Sequence, residues 1–163
     1  MEKLVRKAMK GDSAAFIELI KCCEQSMYKT AWVYLKNEQD MADAIQETIL
    51  TCFEKIHTLR EPKYFKTWMI RILINHCNKI LKKQTKFYEL ENVEQGSCDN
   101  EMETFEWQEV LLSLEESSRI IVQLYYYEEL SIKEIADILK MNKNTVTTKL
   151  SRARKNYAIF YRK

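Results

Sequence analysis

The chain has 163 residues, enough for one ordinary domain or two small ones, and carries 31% charged residues with a net charge of only +2. Two glycines and one proline are too few for an all-β fold, which needs many tight turns, so the composition points to helices. No stretch approaches the roughly 18 consecutive apolar residues of a membrane span, and the first residues, MEKLVRKAMKGD, lack the apolar core of a secretory signal.

Helical spacing starts with Leu4, Val5 and Ala8. After the breaker Gly11-Asp12-Ser13 a second pattern runs through Ala15, Phe16, Leu19, Ile20 and Cys23, and a third through Met27, Ala31, Tyr34 and Leu35. Asp40 opens a fourth, with Ala44, Ile45, Thr48, Ile49, Cys52, Phe53 and Ile56 as its apolar stripe. Pro62 marks a loop over Thr58 to Lys63. Phe65, Trp68, Met69, Ile72, Leu73, His76, Cys77 and Ile80 then line a long helix that ends at Lys82-Lys83. Residues 1–86 read as a helix bundle with a modest core.

Residues 87–106 hold no sustained apolar stripe and read as an acidic linker, kept extended by its like charges. Helical spacing resumes at Trp107, Val110, Leu111 and Leu114, followed by Ile120, Ile121, Leu124 and Tyr125, within a second domain over 107–163. The fold class is all-α: an N-terminal helix bundle and a small C-terminal helix-turn-helix domain.

The small net charge is a cancellation of blocks. Arg60 to Lys86 holds eight basic residues and one acid, Phe87 to Ser118 holds ten acids and no Lys or Arg, and Lys140 to Lys163 holds eight cations and no acid. Two separated basic blocks point to polyanion contacts on two surfaces.

In the second basic block, Ser131-Ile-Lys-Glu134 is a capping-box pattern that starts a helix, with Ile135, Ala136 and Leu139 on one face. Lys140-Met141-Asn142 makes a turn, and Asn142 caps the next helix. Val146, Leu150, Ala153 and Tyr157 share the inner face of that helix. Lys143, Asn144, Thr147, Thr148, Lys149, Ser151, Arg152 and Lys155 share the outer one, the layout of a recognition helix in a major groove. Arg152 has the fork that reads guanine, and Thr148 or Ser151 can touch base edges. Lys143, Lys149, Arg154 and Lys155 suit phosphates. A surface hairpin with a basic outer face is the alternative.

The first basic block mixes cations with Tyr64, Phe65 and Trp68. Cations that follow a backbone and aromatics that stack on bases suit a melted strand. The helical spacing of Phe65 and Trp68 equally suits core packing, and Trp68 stays open between the two roles.

Of five cysteines, Cys22, Cys23, Cys52 and Cys77 mostly occupy apolar helical positions and read as small buried thiols, while Cys98 in the linker reads as exposed. His57 and His76 share no metal-ligand spacing with them, and no phosphate loop or nucleophile elbow appears. No catalytic residue, metal or cofactor is assigned. Reduced thiols fit a cytoplasmic protein.

Leu114-Glu-Glu-Ser-Ser-Arg119, Glu129-Leu-Ser-Ile-Lys-Glu-Ile-Ala136 and Thr145-Val146 with Leu150-Ser-Arg-Ala-Arg154 resemble the promoter-binding domain of bacterial sigma factors. Asp40-Met-Ala-Asp43-Ala-Ile-Gln46-Glu47 resembles their polymerase-docking helix, and Phe65-Lys-Thr-Trp68-Met-Ile-Arg71-Ile-Leu-Ile-Asn75 the helix that engages melted promoter DNA. Two such domains in this order resemble the extracytoplasmic-function sigma factors of the sigma-seventy family.

The resemblance implies a non-enzymatic factor that binds core RNA polymerase through Asp40, Asp43, Gln46 and Glu47. Taken by themselves, these acids early in a helix also suit its macrodipole. The resemblance further implies that Tyr64, Lys66, Arg71, Asn75, Asn78 and Lys79 hold the minus-ten strand, with the loop Thr58 to Tyr64 receiving a flipped base. The outer face of the C-terminal helix would read the minus-thirty-five duplex. It implies a membrane-bound anti-sigma factor as regulator and a role in stress response. The chain departs from the family pattern at Glu115, where Pro is usual, at Lys140, where a small or Gly-like turn residue is usual, and at Thr147, where a cation is frequent. A conventional helix-turn-helix repressor and a thiol-based sensor are the competing readings.

Overall fold

The computed structural model describes residues 1–35, 37–91 and 111–160, the stretches 87–91 and 156–160 as backbone alone. The chain divides into two compact units, Met1–Asn100 and Glu101–Lys163. Every element among the described residues is helical. The acidic stretch over residues 92–110, including Cys98, lies outside them.

In the first unit, α1 (Glu2–Ala8) meets α2 (Ser13–Tyr34) across a turn where Gly11 has φ 91, a left-handed value that disfavours any side chain. Asp12 then caps α2 by accepting from the Ala15 amide at 2.9 Å. Two separate patterns were expected here, but α2 is one helix of 22 residues. The gap between them holds Ser26, and Thr30 follows within the second of them, both polar residues that are buried on the inner face. They interrupt the apolar stripe without breaking the helix.

α3 (Glu38–Lys55) starts two residues before Asp40 because Asn37 is its cap, its side chain accepting from the amides of Gln39 and Asp40 at 2.8 and 3.1 Å. The expected loop around Pro62 consists of two single 3-10 turns, Ile56–Thr58 and Pro62–Tyr64. α4 (Phe65–Glu91) runs beyond Lys82-Lys83, where its end was expected. No breaker follows those lysines, so the helix carries on into the segment read as linker. α2 and α3 pack on α4, around Leu19, Met27, Met41, Phe65, Met69, Ile70, Leu73 and Ile74.

Two expected core residues of this unit are outside it. Phe53 is 54% exposed and meets the buried Phe16 edge-on, ring centres 5.2 Å apart. Cys22 is exposed, one step around α2 from the buried Cys23. Cys52 and Cys77 are buried as expected, and burial pushes each thiol up to about 12.

In the second unit, α5 (Glu116–Val122) widens into a π turn over Gln123–Tyr127, closed by the Glu128 amide on the Gln123 carbonyl at 3.2 Å. Glu129 follows with φ 57. α6 (Ile132–Leu139) and α7 (Lys143–Phe160) form the helix-turn-helix. The core holds Leu111, Leu114, Ile121, Leu124, Ile135, Val146, Leu150 and Ala153, together with Ile138. The side chain of Tyr157, expected on this face, lies outside the described ones. Arg119 ties the segment before α5 to it, donating through Nε to the Leu114 carbonyl at 2.9 Å and through Nη2 to that of Leu112 at 3.1 Å.

Candidate nucleic-acid interface

α3 presents Asp43, Gln46 and Glu47 to solvent. They form one wall of a groove of about 600 Å³ whose other wall is His76, Lys79, Ile80 and Lys83 of α4. Asp40 stands apart from these three. It is half-buried, and its Oδ2 accepts from Gln84 Nε2 at 2.7 Å, so it ties α3 to α4.

His76 is fixed within that groove. Thr51 Oγ1 donates to the Glu47 carbonyl at 2.7 Å, which spends its proton. The same oxygen lies 3.1 Å from His76 Nε2 and accepts from it, setting the tautomer. Burial, then the nearby Lys79, holds the imidazole below its ordinary pKa, against the opposing pull of Glu47.

Along α4 the exposed polar residues fall on one side. Arg71, Asn75 and Asn78 follow at helical spacing, and Lys79 turns from them toward the groove. Trp68 lies seven residues before Asn75 and shares its face. It is half-buried, its ring tilted on that of Phe65 with centres 6.0 Å apart. Lys66 is also half-buried. Tyr64 closes the second 3-10 turn and is 49% exposed. The Lys63 ammonium sits 4.8 Å from the centre of the Tyr64 ring and 3.0 Å from Glu61, so the loop carries an aromatic face backed by a cation. Lys82 and Lys86 extend the exposed face of Asn75, about two and three turns further along. Sequence reasoning counted both in the first basic block without assigning them to this face, although spacings of seven and eleven from Asn75 mark them.

The helix-turn-helix is built by local capping. Ser131 Oγ accepts from the Glu134 amide at 3.3 Å, and the Glu134 carboxylate accepts from the Ser131 amide at 2.9 Å. Lys140 holds φ 54 and ψ 42, and the amides of Lys140 and Met141 both donate to the Ala136 carbonyl. Asn142 caps α7 by accepting from the Asn144 amide at 2.9 Å. Glu115 has φ −55, a backbone angle that proline shares.

On α7, Lys143, Asn144, Thr147, Thr148, Ser151, Arg152 and Lys155 are exposed, as their spacing predicts. The hydroxyls of Thr147 and Thr148 donate back to the carbonyls of Lys143 and Asn144 at 2.9 and 2.8 Å. With those protons spent, the two side chains face outward as acceptors, suited to an exocyclic amino group of adenine or cytosine. Lys149 is half-buried and turned away from the others: its ammonium donates to Ser117 Oγ and lies 3.6 Å from Glu115. The Ser117 hydroxyl, then Lys149, holds the Glu115 carboxyl below its ordinary pKa.

Among the described residues no group of His, Cys, Asp and Glu could hold a metal ion, and no helix is long and apolar enough to cross a membrane.

Two family models match the chain, Sigma-70 region 2 over residues 19–87 and Sigma-70, region 4 over residues 104–156. The sigma factor SigV of Bacillus subtilis is 31% identical over 154 residues, covering 91% of this chain and 92% of the relative. SigW of the same organism is 25% identical, with 94% and 92% covered. The Escherichia coli K12 sigma-E factor is 27% identical, with 93% and 88% covered. Among solved structures, the sigma factor RpoE of Bartonella quintana, in complex with the anti-sigma factor NepR, superposes with a TM-score of 0.72 at 18% identity. That superposition covers 86% of this chain and 92% of the other. CnrH, in complex with the cytosolic domain of CnrY, gives 0.67 at 21% identity, covering 98% and 96%. These two likenesses bear on the fold alone.

Proposed function

The chain belongs to the sigma-70 family of RNA polymerase sigma factors, and from that membership we propose that it acts as an extracytoplasmic-function member in the cytoplasm. It binds core RNA polymerase through the exposed edge of α3, where Asp43, Gln46 and Glu47 face solvent along the groove shared with α4. Asp40 supports that edge through Gln84. The polymerase makes the phosphodiester bonds. This chain selects where they start.

Tyr64 and the exposed face of α4, Arg71, Asn75 and Asn78, hold the unwound minus-ten strand, with Lys79 at the edge of that face beside the groove and Lys66 beside the loop. The chemistry supports this: the cations follow the phosphates, and the Tyr64 ring offers a stacking surface. The outer face of α7 reads the minus-thirty-five duplex, with Arg152 on bases and Lys143 and Lys155 on phosphates. Asn144, Thr147, Thr148 and Ser151 complete the surface that meets the groove.

The anti-sigma factor bound to one structural neighbour, RpoE of Bartonella quintana, supports control by such a partner, and the family resemblance implies one anchored in a membrane. Release from it in a stress or envelope response is the matching regulation. A thiol-sensor role gains no support from Cys23, Cys52 and Cys77, whose burial disfavours the reactive thiolate.

The observation that carries the reading is the pair of family matches, one in each compact unit and in family order. Run-off transcription with purified core polymerase on the DNA upstream of the chain's own gene tests it. A defined transcript that requires this chain is expected. Failure to associate with core polymerase, with start-site opening unchanged, refutes it.

A further inference from the structure

Two cations of α7 are engaged within their own unit. Lys149, its side chain 19% exposed, donates to Ser117 Oγ and lies 3.6 Å from Glu115 Oε2. Arg154 Nε donates to the Tyr126 hydroxyl at 2.8 Å. Its guanidinium carbon sits 5.4 and 5.9 Å from the ring centres of Tyr125 and Tyr126, which meet edge to face. Ser117 belongs to the first turn of α5, and Tyr126 to the π turn that ends it. α7 is thus bonded to both ends of one helical segment.

The two bonds lie on opposite flanks. Five residues turn a helix by about 140°, and the buried Val146, Leu150 and Ala153 fall between Lys149 and Arg154. An apolar stripe that includes small side chains holds two helices together but resists rolling weakly. A bond on each flank opposes rolling in both directions. The roll matters because Arg152 and Thr148 project from the far side. A roll of about 20° moves a tip at a radius of about 6 Å by about 2 Å. That displacement is enough to break a bidentate contact.

We propose that Ser117 and Tyr126 are positioning residues for reading the promoter duplex: by tying Lys149 and Arg154 to the two ends of α5, they set the roll of α7. This rests on the DNA-reading role proposed above for the second unit. The cations of α7 left to meet phosphates are then Lys143 and Lys155.

The full chain assembled on core polymerase is offered duplexes randomised over the minus-thirty-five region, and the sequences it enriches define the probe. Binding to the enriched duplex and to a scrambled one is then measured across a salt series. Tyr126→Phe keeps both rings and the charge, and Ser117→Ala keeps the charge. The double variant should lose about tenfold in the enriched-to-scrambled ratio, at unchanged affinity for scrambled DNA and unchanged salt slope. Lys155→Ala should instead lower the slope by about 1.

An unchanged ratio in the double variant overturns the proposal. So does a parallel loss of both affinities, the mark of a merely structural role. A slope lowered by about 1 in Lys149→Gln or Arg154→Gln also overturns it, because that cation then meets a phosphate. No enrichment by the wild-type chain overturns the DNA-reading role and this inference with it, whereas enrichment without any effect of the double variant overturns this inference alone.

Discussion

Lys140 sits at φ 54 and ψ 42 at the end of α6, exposed to solvent, where the helix-turn-helix bends. For a residue with a Cβ the left-handed region costs about 1–2 kcal/mol. Glycine removes that strain but gives up about 0.5–1 kcal/mol in backbone entropy. Lys140→Gly should therefore stabilise the unit by about 0.5–1 kcal/mol, the remainder of those two terms. Gly11 is the precedent within the chain, a glycine in the left-handed region at the α1–α2 turn. Native-state amide exchange reads the effect locally: protection in α6 and α7 should rise about two- to fivefold. Lys140→Ala is the control, because it removes the charge and keeps the Cβ, and it should stay within about 0.5 kcal/mol of wild type. Equal protection in the Gly and Ala variants would falsify the strain argument, since the left-handed angle would then carry no cost.

Three further outcomes are expected. Asp43→Arg with Gln46→Ala should abolish assembly with core polymerase, measured by co-purification, while helicity by circular dichroism is unchanged; normal assembly removes the α3 edge as the docking surface. Asn75→Ala and Lys79→Ala should weaken open-complex formation, followed by permanganate reactivity of the melted strand, more than they weaken polymerase binding; equal losses point to misfolding instead. His76, with its pKa held below the ordinary value, binds its proton more readily in the unfolded chain. Stability is then retained above about pH 6.5 and falls as pH drops from there toward the lower folded pKa. His76→Gln should flatten that part of a urea-midpoint profile, and an unchanged slope assigns the pH dependence elsewhere.

What the sequence made legible was local. The Ser131–Glu134 capping box spans three residues, and the Asn142 cap on the Asn144 amide spans two, so a short window contains both partners. Periodicity sorted α7 well: seven of the eight residues expected on its outer face are exposed, and the exception, Lys149, is the one with a polar partner on another helix. The same periodicity failed at Phe53, because an apolar residue at the edge of a stripe is buried only if a neighbouring helix reaches over it. Phe16 meets that ring edge to face, and Phe53 still stays 54% exposed.

What stayed illegible shares one physical cause. Asp40 with Gln84, Lys149 with Ser117, Arg154 with Tyr126 and Thr51 with His76 are separated by 44, 32, 28 and 25 residues. Spacing assigns a side chain to a face of its helix, but which helix crosses that face, and at what height, is decided by packing. The consequence for the site is specific. An acid and two cations that composition groups with docking or phosphate contact are the ones that packing turns toward their own unit. The residues then left exposed, Asp43, Gln46 and Glu47 on α3 and Lys143, Arg152 and Lys155 on α7, are where substitutions should affect partners before they affect the fold.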